Sequence, residues 1–174
     1  MASVVFFRAL NVGGHQICRP AALARELAEF GVVNVGAAGT FVVRNPVGAA
    51  RLRAEILRRL PFAPALAICP ARDVLAVLSA PLFREPPTEK GVERYFSVLE
   101  KAAKPIPPLP CEQPPGGKWE VRLVAVVGRF VLSLRRPGDT YANAVVEKYF
   151  KIPATTRNWN TLATIGSILE TKRP

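Results

Sequence analysis

The side chains best suited to recognising an anion stand in two short stretches at opposite ends of the sequence, Arg8-Ala9-Leu10-Asn11-Val12-Gly13-Gly14 and Thr156-Arg157-Asn158-Trp159-Asn160-Thr161. A guanidinium presents a planar fork of donors to a carboxylate or phosphate, and an indole offers a flat face for stacking. Asn11, Asn158 and Asn160 add amide donors, and the pair Gly13-Gly14 lets backbone N–H groups come close to a negative charge. Each feature also has a plain structural reading. Adjacent glycines are common in tight turns, Asn158 or Asn160 can cap the helix that follows, Arg157 can pair with a nearby carboxylate, and Trp159 can fill the core.

Groups for proton transfer are scarce, with one histidine and thirteen Asp and Glu residues. His15 follows the two glycines, where an imidazole could serve acid–base work, although an exposed loop histidine is the ordinary alternative. The chain lacks a nucleophile elbow, a P-loop and a metal-ligand signature, so the sequence designates no catalytic set and no cofactor. Cys18, Cys69 and Cys111 are scattered, without a Cys-x-x-Cys pair, which argues against a structural zinc site and suits reduced thiols in a cytoplasm.

Composition bounds the setting. At 174 residues, 49% of them hydrophobic, the chain can bury one large core or two smaller ones. A net charge of +11 and a pI near 10.3 attract phosphates, acidic proteins and anionic surfaces. Much of that charge is Arg in an Ala- and Pro-rich chain, a pattern that GC-rich coding bias alone can produce. No run approaches the roughly 20 apolar residues of a membrane helix. Nor does Val4-Val5-Phe6-Phe7, closed off by Arg8, read as the apolar part of a signal peptide. The expectation is a cytoplasmic protein with no membrane association.

The pattern of apolar residues predicts the elements that must position these groups. Ser3 to Ala9 reads as a buried strand, Pro20 to Phe30 as a helix capped by Gly31, Val32 to Val35 and Phe41 to Arg44 as strands around a Gly-containing turn, and Val47 to Leu60 as a second helix. Leu66 to Cys69 and Arg72 to Leu78 add a strand and a short helix. The order recurs from Tyr95 to Leu99: Val121 to Val127 and Phe130 to Leu134 form a hairpin at Gly128-Arg129, where Gly at the first central position suits a type II′ turn. Asn143 to Phe150 is a helix, Ala154 to Thr156 a short extended piece, and Trp159 to Leu169 a closing helix that buries Trp159. Residues 84 to 92 read as a linker. The prolines between 105 and 115 exclude a regular crossover helix and predict a rigid surface loop over 103–117.

The two polar stretches resemble those of one bacterial family, the domain-of-unknown-function family 1697. Its members carry Arg-x-x-Asn-Val-Gly-Gly after the first strand, matched at Arg8, Asn11, Val12, Gly13 and Gly14, and Thr-Arg-Asn-Trp-Asn-Thr near the end, matched at Thr156 to Thr161. Two family features are missing. Ala38-Gly39-Thr40 stands where a Ser-Gly-Asn turn is expected, and Asp139-Thr140 where Ser-Lys follows the second hairpin. The resemblance implies an α+β fold of two tandem ferredoxin-like α/β units with antiparallel sheets, which agrees with the repeated β-α-β-β-α-β order. The units expected are 1–83 and 92–174, joined by 84–91, and the family carries no established activity.

The leading functional expectation is a small anionic or phosphate-bearing ligand bound in a polar cleft between the two units by Arg8, Asn11, Gly13, Gly14, Arg157, Asn158 and Asn160. A single-stranded RNA-binding module is the second reading, favoured by positive charge and sheet surfaces but lacking the paired aromatic stacking motif of such modules. A hydrolase or transferase is the third, without a complete catalytic set. The sequence fixes no oligomeric state.

Overall fold

Short β-branched and aromatic runs become strands, and the computed structural model, which describes residues 1–11, 14 and 17–171, joins them into two antiparallel sheets. In chain order the first elements are β1 (Ser3–Phe7), α1 (Pro20–Glu26), a 3-10 turn (Ala28–Phe30), β2 (Val32–Val35), β3 (Thr40–Val43), α2 (Ala49–Arg58), β4 (Leu66–Pro70) and α3 (Ala71–Leu78). There follow α4 (Pro81–Arg84), β5 (Glu93–Leu99), β6 (Cys111–Gln113), β7 (Val121–Val127), β8 (Phe130–Arg135), α5 (Ala142–Phe150), β9 (Ala154–Asn158) and α6 (Trp159–Glu170). The described residues thus form an α+β protein. The chain divides into two compact units, Met1–Leu75 together with the stretch from Ala163, and Ala76–Leu162.

The first sheet has the order β2-β3-β1-β4. Side chains alternate along a strand, so Val5 and Phe7 of β1 and Phe41 and Val43 of β3 share a face with Leu23 and Leu27 of α1, Phe30, and Leu52 and Ile56 of α2. Phe7 meets Phe41 edge-on, with ring centroids 5.4 Å apart. Val4, Phe6 and Val42 on the opposite face are also completely buried, so the sheet is not covered on one face alone. α1 is shorter than its apolar spacing suggests. Leu27 departs from helical geometry and a 3-10 turn finishes the segment, ending at Gly31 in the left-handed region (φ 62°) where a cap was expected.

The second sheet has the order β6-β7-β8-β5-β9. Val127 pairs with Phe130 across Gly128-Arg129, and the positive φ at Gly128 (60°) is the one a type II′ turn requires at that position. A bulge between Leu123 and Ala125 shifts the β7–β8 register by one residue. Val121, Leu123 and Val131 face Ala142, Val145, Val146 and Phe150 of α5.

Two elements, α4 and β6, were not legible in the pattern, and β9 is longer than the short extended piece expected. α4 is a single turn opened by Pro81. β6 uses the three residues between Pro110 and Pro114, where backbone N–H groups remain to pair with β7, so the proline-rich segment is not loop throughout. β9 extends to Asn158 instead of stopping at Thr156 because it pairs with β5 along its whole length.

The β2–β3 turn holds two left-handed glycines with different surroundings. A Cβ on Gly39 (φ 70°) would lie 2.7 Å from Leu10 Cδ2 and 2.9 Å from Phe7 Cβ, whereas one on Gly36 (φ 67°) would meet open space. Gly36→Ala should therefore cost about 1–2 kcal/mol from backbone strain alone. Gly39→Ala should cost about 1–3 kcal/mol more, because Phe7 and Leu10 must shift as well. Denaturant unfolding of both variants checks this; equal losses would show that the close approach at Gly39 carries no penalty.

Candidate functional site

The second polar stretch is built by a strand that passes directly into a helix. β9 is an edge strand antiparallel to β5, with Phe96 opposite Arg157 and Tyr95 opposite Asn158. One further step of that register sets Arg94 beside Trp159, the residue at which the chain turns into α6. The Arg94 guanidinium carbon lies 4.2 Å from the Trp159 ring centroid, and Arg94 Nη1 donates to the Phe83 carbonyl at 2.9 Å. Phe83, itself buried, stacks on the indole at 5.3 Å with a 14° interplanar angle. Trp159 is held by these two contacts and is half-buried rather than enclosed, because it begins a helix at the sheet's edge. Burial pushes the Arg94 pKa down, though a guanidinium remains protonated at neutral pH.

Asn158 caps the helix. Its Oδ1 accepts the backbone N–H of Thr161 and the Thr161 hydroxyl, both at 3.1 Å, satisfying one of the donors that a helix start leaves open. β9 is anchored upstream by a chain of side-chain hydrogen bonds. Thr156 Oγ1 donates to Asn143 Oδ1 at 2.9 Å, so the buried Ser97 hydroxyl is the donor in its 2.6 Å contact with Thr156.

Asn158, Trp159 and Asn160 line a polar cleft of about 220 Å³ with Glu93, Arg94 and Pro86. Glu93 accepts the Tyr95 hydroxyl at 2.7 Å, and burial followed by this carboxylate raises the Tyr95 pKa. Sequence reasoning missed Arg94, Glu93 and the Pro86-Pro87 wall, which enter the site only through the β5–β9 register. Arg157 is not among the cleft's lining residues. Neighbouring strand positions face opposite ways, and its Nη1 donates back along its own strand to Thr155 Oγ1 and the Thr156 carbonyl, each at 2.9 Å. Burial lowers the Arg157 pKa to about 10, which leaves it charged near neutrality.

The first polar stretch belongs to the first unit. Arg8 is exposed at the end of β1, its backbone N–H donating to the Ala65 carbonyl at 2.8 Å. Ala9 (φ 55°) and Asn11 (φ 58°) both occupy the left-handed region, which non-glycine residues adopt at a cost of about 1–3 kcal/mol each. Asn11 Oδ1 accepts the Cys18 N–H at 2.8 Å and so closes the loop after β1, a structural task for a residue expected to hold ligand. Gly14 (φ 76°) has open space around it. Val12, Gly13 and His15 lie outside the described residues.

The Asp139-Thr140 turn after β8 wraps a carboxylate. Glu120 Oε2 accepts the Thr140 N–H at 2.8 Å, and the Thr140 hydroxyl, then the Thr140 and Asp139 amides, hold the Glu120 pKa below the usual carboxylate range. Arg135 clamps the same turn by donating to the carbonyls of Thr140 (3.0 Å) and Gly138 (2.8 Å). Trp119, also missed in the sequence, is buried between the guanidinium groups of Arg122 (4.2 Å) and Arg136 (3.9 Å). Among the described residues no group of three or more His, Cys, Asp or Glu side chains could hold a metal ion, and no helix is long and apolar enough to cross a membrane.

Compared with models of protein families, with curated proteins and with solved structures, the chain finds no match in any of the three.

Loss of the cap gives a direct check on this geometry. Asn158→Ala should destabilise the protein by about 1 kcal/mol, whereas Asn158→Asp, which keeps an acceptor, should cost less. Trp159→Ala should cost about 2 kcal/mol, below the 3–5 kcal/mol of a fully enclosed aromatic. Chemical unfolding measures all three; a neutral Asn158→Ala would mean that Thr161 does not need the cap.

Proposed function

We propose that the cleft at the β9–α6 junction binds a small anionic or phosphate-bearing molecule, with Asn158, Asn160 and Arg94 as its contacts. The observation that carries this reading is the convergence of a guanidinium, two exposed asparagines and the start of α6 on one small polar cleft. A helix start carries a partial positive charge and favours anions. Size limits the ligand. Since a water molecule takes roughly 30 Å³ of liquid, the volume suits an inorganic anion or the head of a larger molecule. The two-motif resemblance to family 1697 proposes Arg8, Asn11, Gly13, Gly14 and Arg157 as further ligand contacts, outside the lining of this cleft.

The same resemblance leads us to read each unit as ferredoxin-like and the chain as a tandem of them. The order β2-β3-β1-β4, repeated as β7-β8-β5-β9, supports that reading. Free thiols at Cys18, Cys69 and Cys111 support a cytoplasmic setting. The RNA-binding alternative draws less support, because the Trp159 ring is already engaged by Phe83 and Arg94 instead of standing ready for a base.

Calorimetric titration with inorganic phosphate and pyrophosphate tests the proposal. Binding should weaken about tenfold or more in Asn160→Ala with the melting temperature within a few degrees of the parent, since exposed polar substitutions usually change stability little. An unchanged affinity would remove the cleft from the reading. Tight single-stranded RNA binding that falls steeply with salt would favour the nucleic-acid alternative.

A further inference from the structure

The two units solve the same crossover differently. In the first, α1 and its 3-10 turn cross from β1 to β2 and bury Leu23, Ala24, Leu27 and Phe30 beside α2. In the second, the chain from β5 to β7 runs through the proline-rich segment and β6, which bring Ala103, with half-buried Leu109 and Cys111, to the core around α5. Tyr149 ties this segment to α5 by donating its hydroxyl to the Pro108 carbonyl at 2.5 Å. A chain held extended by prolines fills less volume than a helix. Beside α5 a cavity of about 630 Å³ remains, bounded by Pro114, Ala144 and Val145 and by the polar residues Thr140, Lys148 and Lys151.

We propose that this cavity binds an amphipathic anion, a carboxylate carried on an apolar chain or ring. The volume lies within the range of about 300–1,000 Å³ typical of small-molecule sites. Its walls pair apolar surface with two exposed lysines on the last turn of α5 and just beyond it, Lys151 being the left-handed residue that ends the helix (φ 54°). Glu120 also lines the cavity, but its carboxylate is already engaged by the Asp139–Thr140 turn. Glu120 stays ionised, since neutral amide and hydroxyl donors hold it. Against its single charge the two lysines leave the lining net positive to select the ligand's head group, and the net charge of +11 steers anions towards the protein. An apolar body alone would leave the ammonium groups unused, and a bare anion would leave Pro114 and Ala144 in water.

Decanoate is a suitable probe, with decanol and inorganic phosphate as its uncharged and wholly polar counterparts. Calorimetry should show one decanoate bound per chain with a Kd below about 1 mM, and decanol and phosphate each at least about tenfold weaker. Ala144→Trp, which places an indole in the cavity, should abolish binding. The doubly substituted Lys148→Glu, Lys151→Glu chain should lose decanoate about tenfold or more and bind decylamine better than the parent does. Circular dichroism and thermal melting establish that both variants are folded, and the surface substitutions keep the test decisive if Ala144→Trp does not fold. No decanoate binding to the parent at about 1 mM, equal binding by the folded Ala144→Trp chain, or displacement by equimolar phosphate would each overturn the proposal. The cavity is distinct from the cleft at Trp159, so Asn160→Ala should leave decanoate binding unchanged.

Discussion

Ser97 and Thr156 face each other across β5 and β9 with their hydroxyl oxygens 2.6 Å apart, and Ser97 is fully buried. A buried hydroxyl without a partner costs about 1–3 kcal/mol, so this contact and the onward bond from Thr156 to Asn143 favour one register over its neighbours. A slip by one residue would also turn every β9 side chain to the other face. The consequences run forward along the chain. With β9 held in this register, Asn158 reaches the helix start as its cap, Trp159 meets Arg94 and Phe83, and Asn160 opens onto the cleft. The site is thus an outcome of strand pairing more than of any single recognition residue.

A second constraint comes from proline. The segment between β5 and β7 cannot form a regular helix, and short devices hold it instead: β6 between two prolines, the Tyr149 hydroxyl bond, and Trp119 between two guanidinium groups. Arg136 in turn binds Glu89 through both carboxylate oxygens at 2.8 and 2.9 Å, and Arg122 binds Glu112 at 2.6 Å. Each cation is therefore shared between a ring and an acid. Such bidentate and stacked geometries belong to arginine, and lysine would not reproduce them.

Local signals were legible because their causes are local. The hairpin at Gly128-Arg129 depends on one glycine, the cap at Gly31 on another, and the helical spacing of Leu52 and Ile56 on their own segment. A cap at Asn158 or Asn160 followed from their place beside an apolar helix, and Asn158 is the one that makes the bonds. What the sequence left open depends on partners far along the chain. Arg94 reaches Trp159 only through pairing between residues about sixty positions apart, and the length of β9 is set by β5. Trp119 gave no signal because its two arginines come from different segments, Arg122 on β7 and Arg136 just past β8, and the burial expected for Trp159 overestimated the cover available at a sheet edge.

The central claim is that the β9–α6 junction is where this protein meets an anion. The most direct test follows the ¹⁵N-labelled chain by NMR while inorganic phosphate is added. The account predicts saturable shifts concentrated in the amides of residues 158–161, the Asn158 and Asn160 side-chain NH₂ groups, the Trp159 indole N–H and Arg94 Nε. Saturable shifts confined to other parts of the molecule, or a junction whose signals stay fixed throughout the titration, would contradict it.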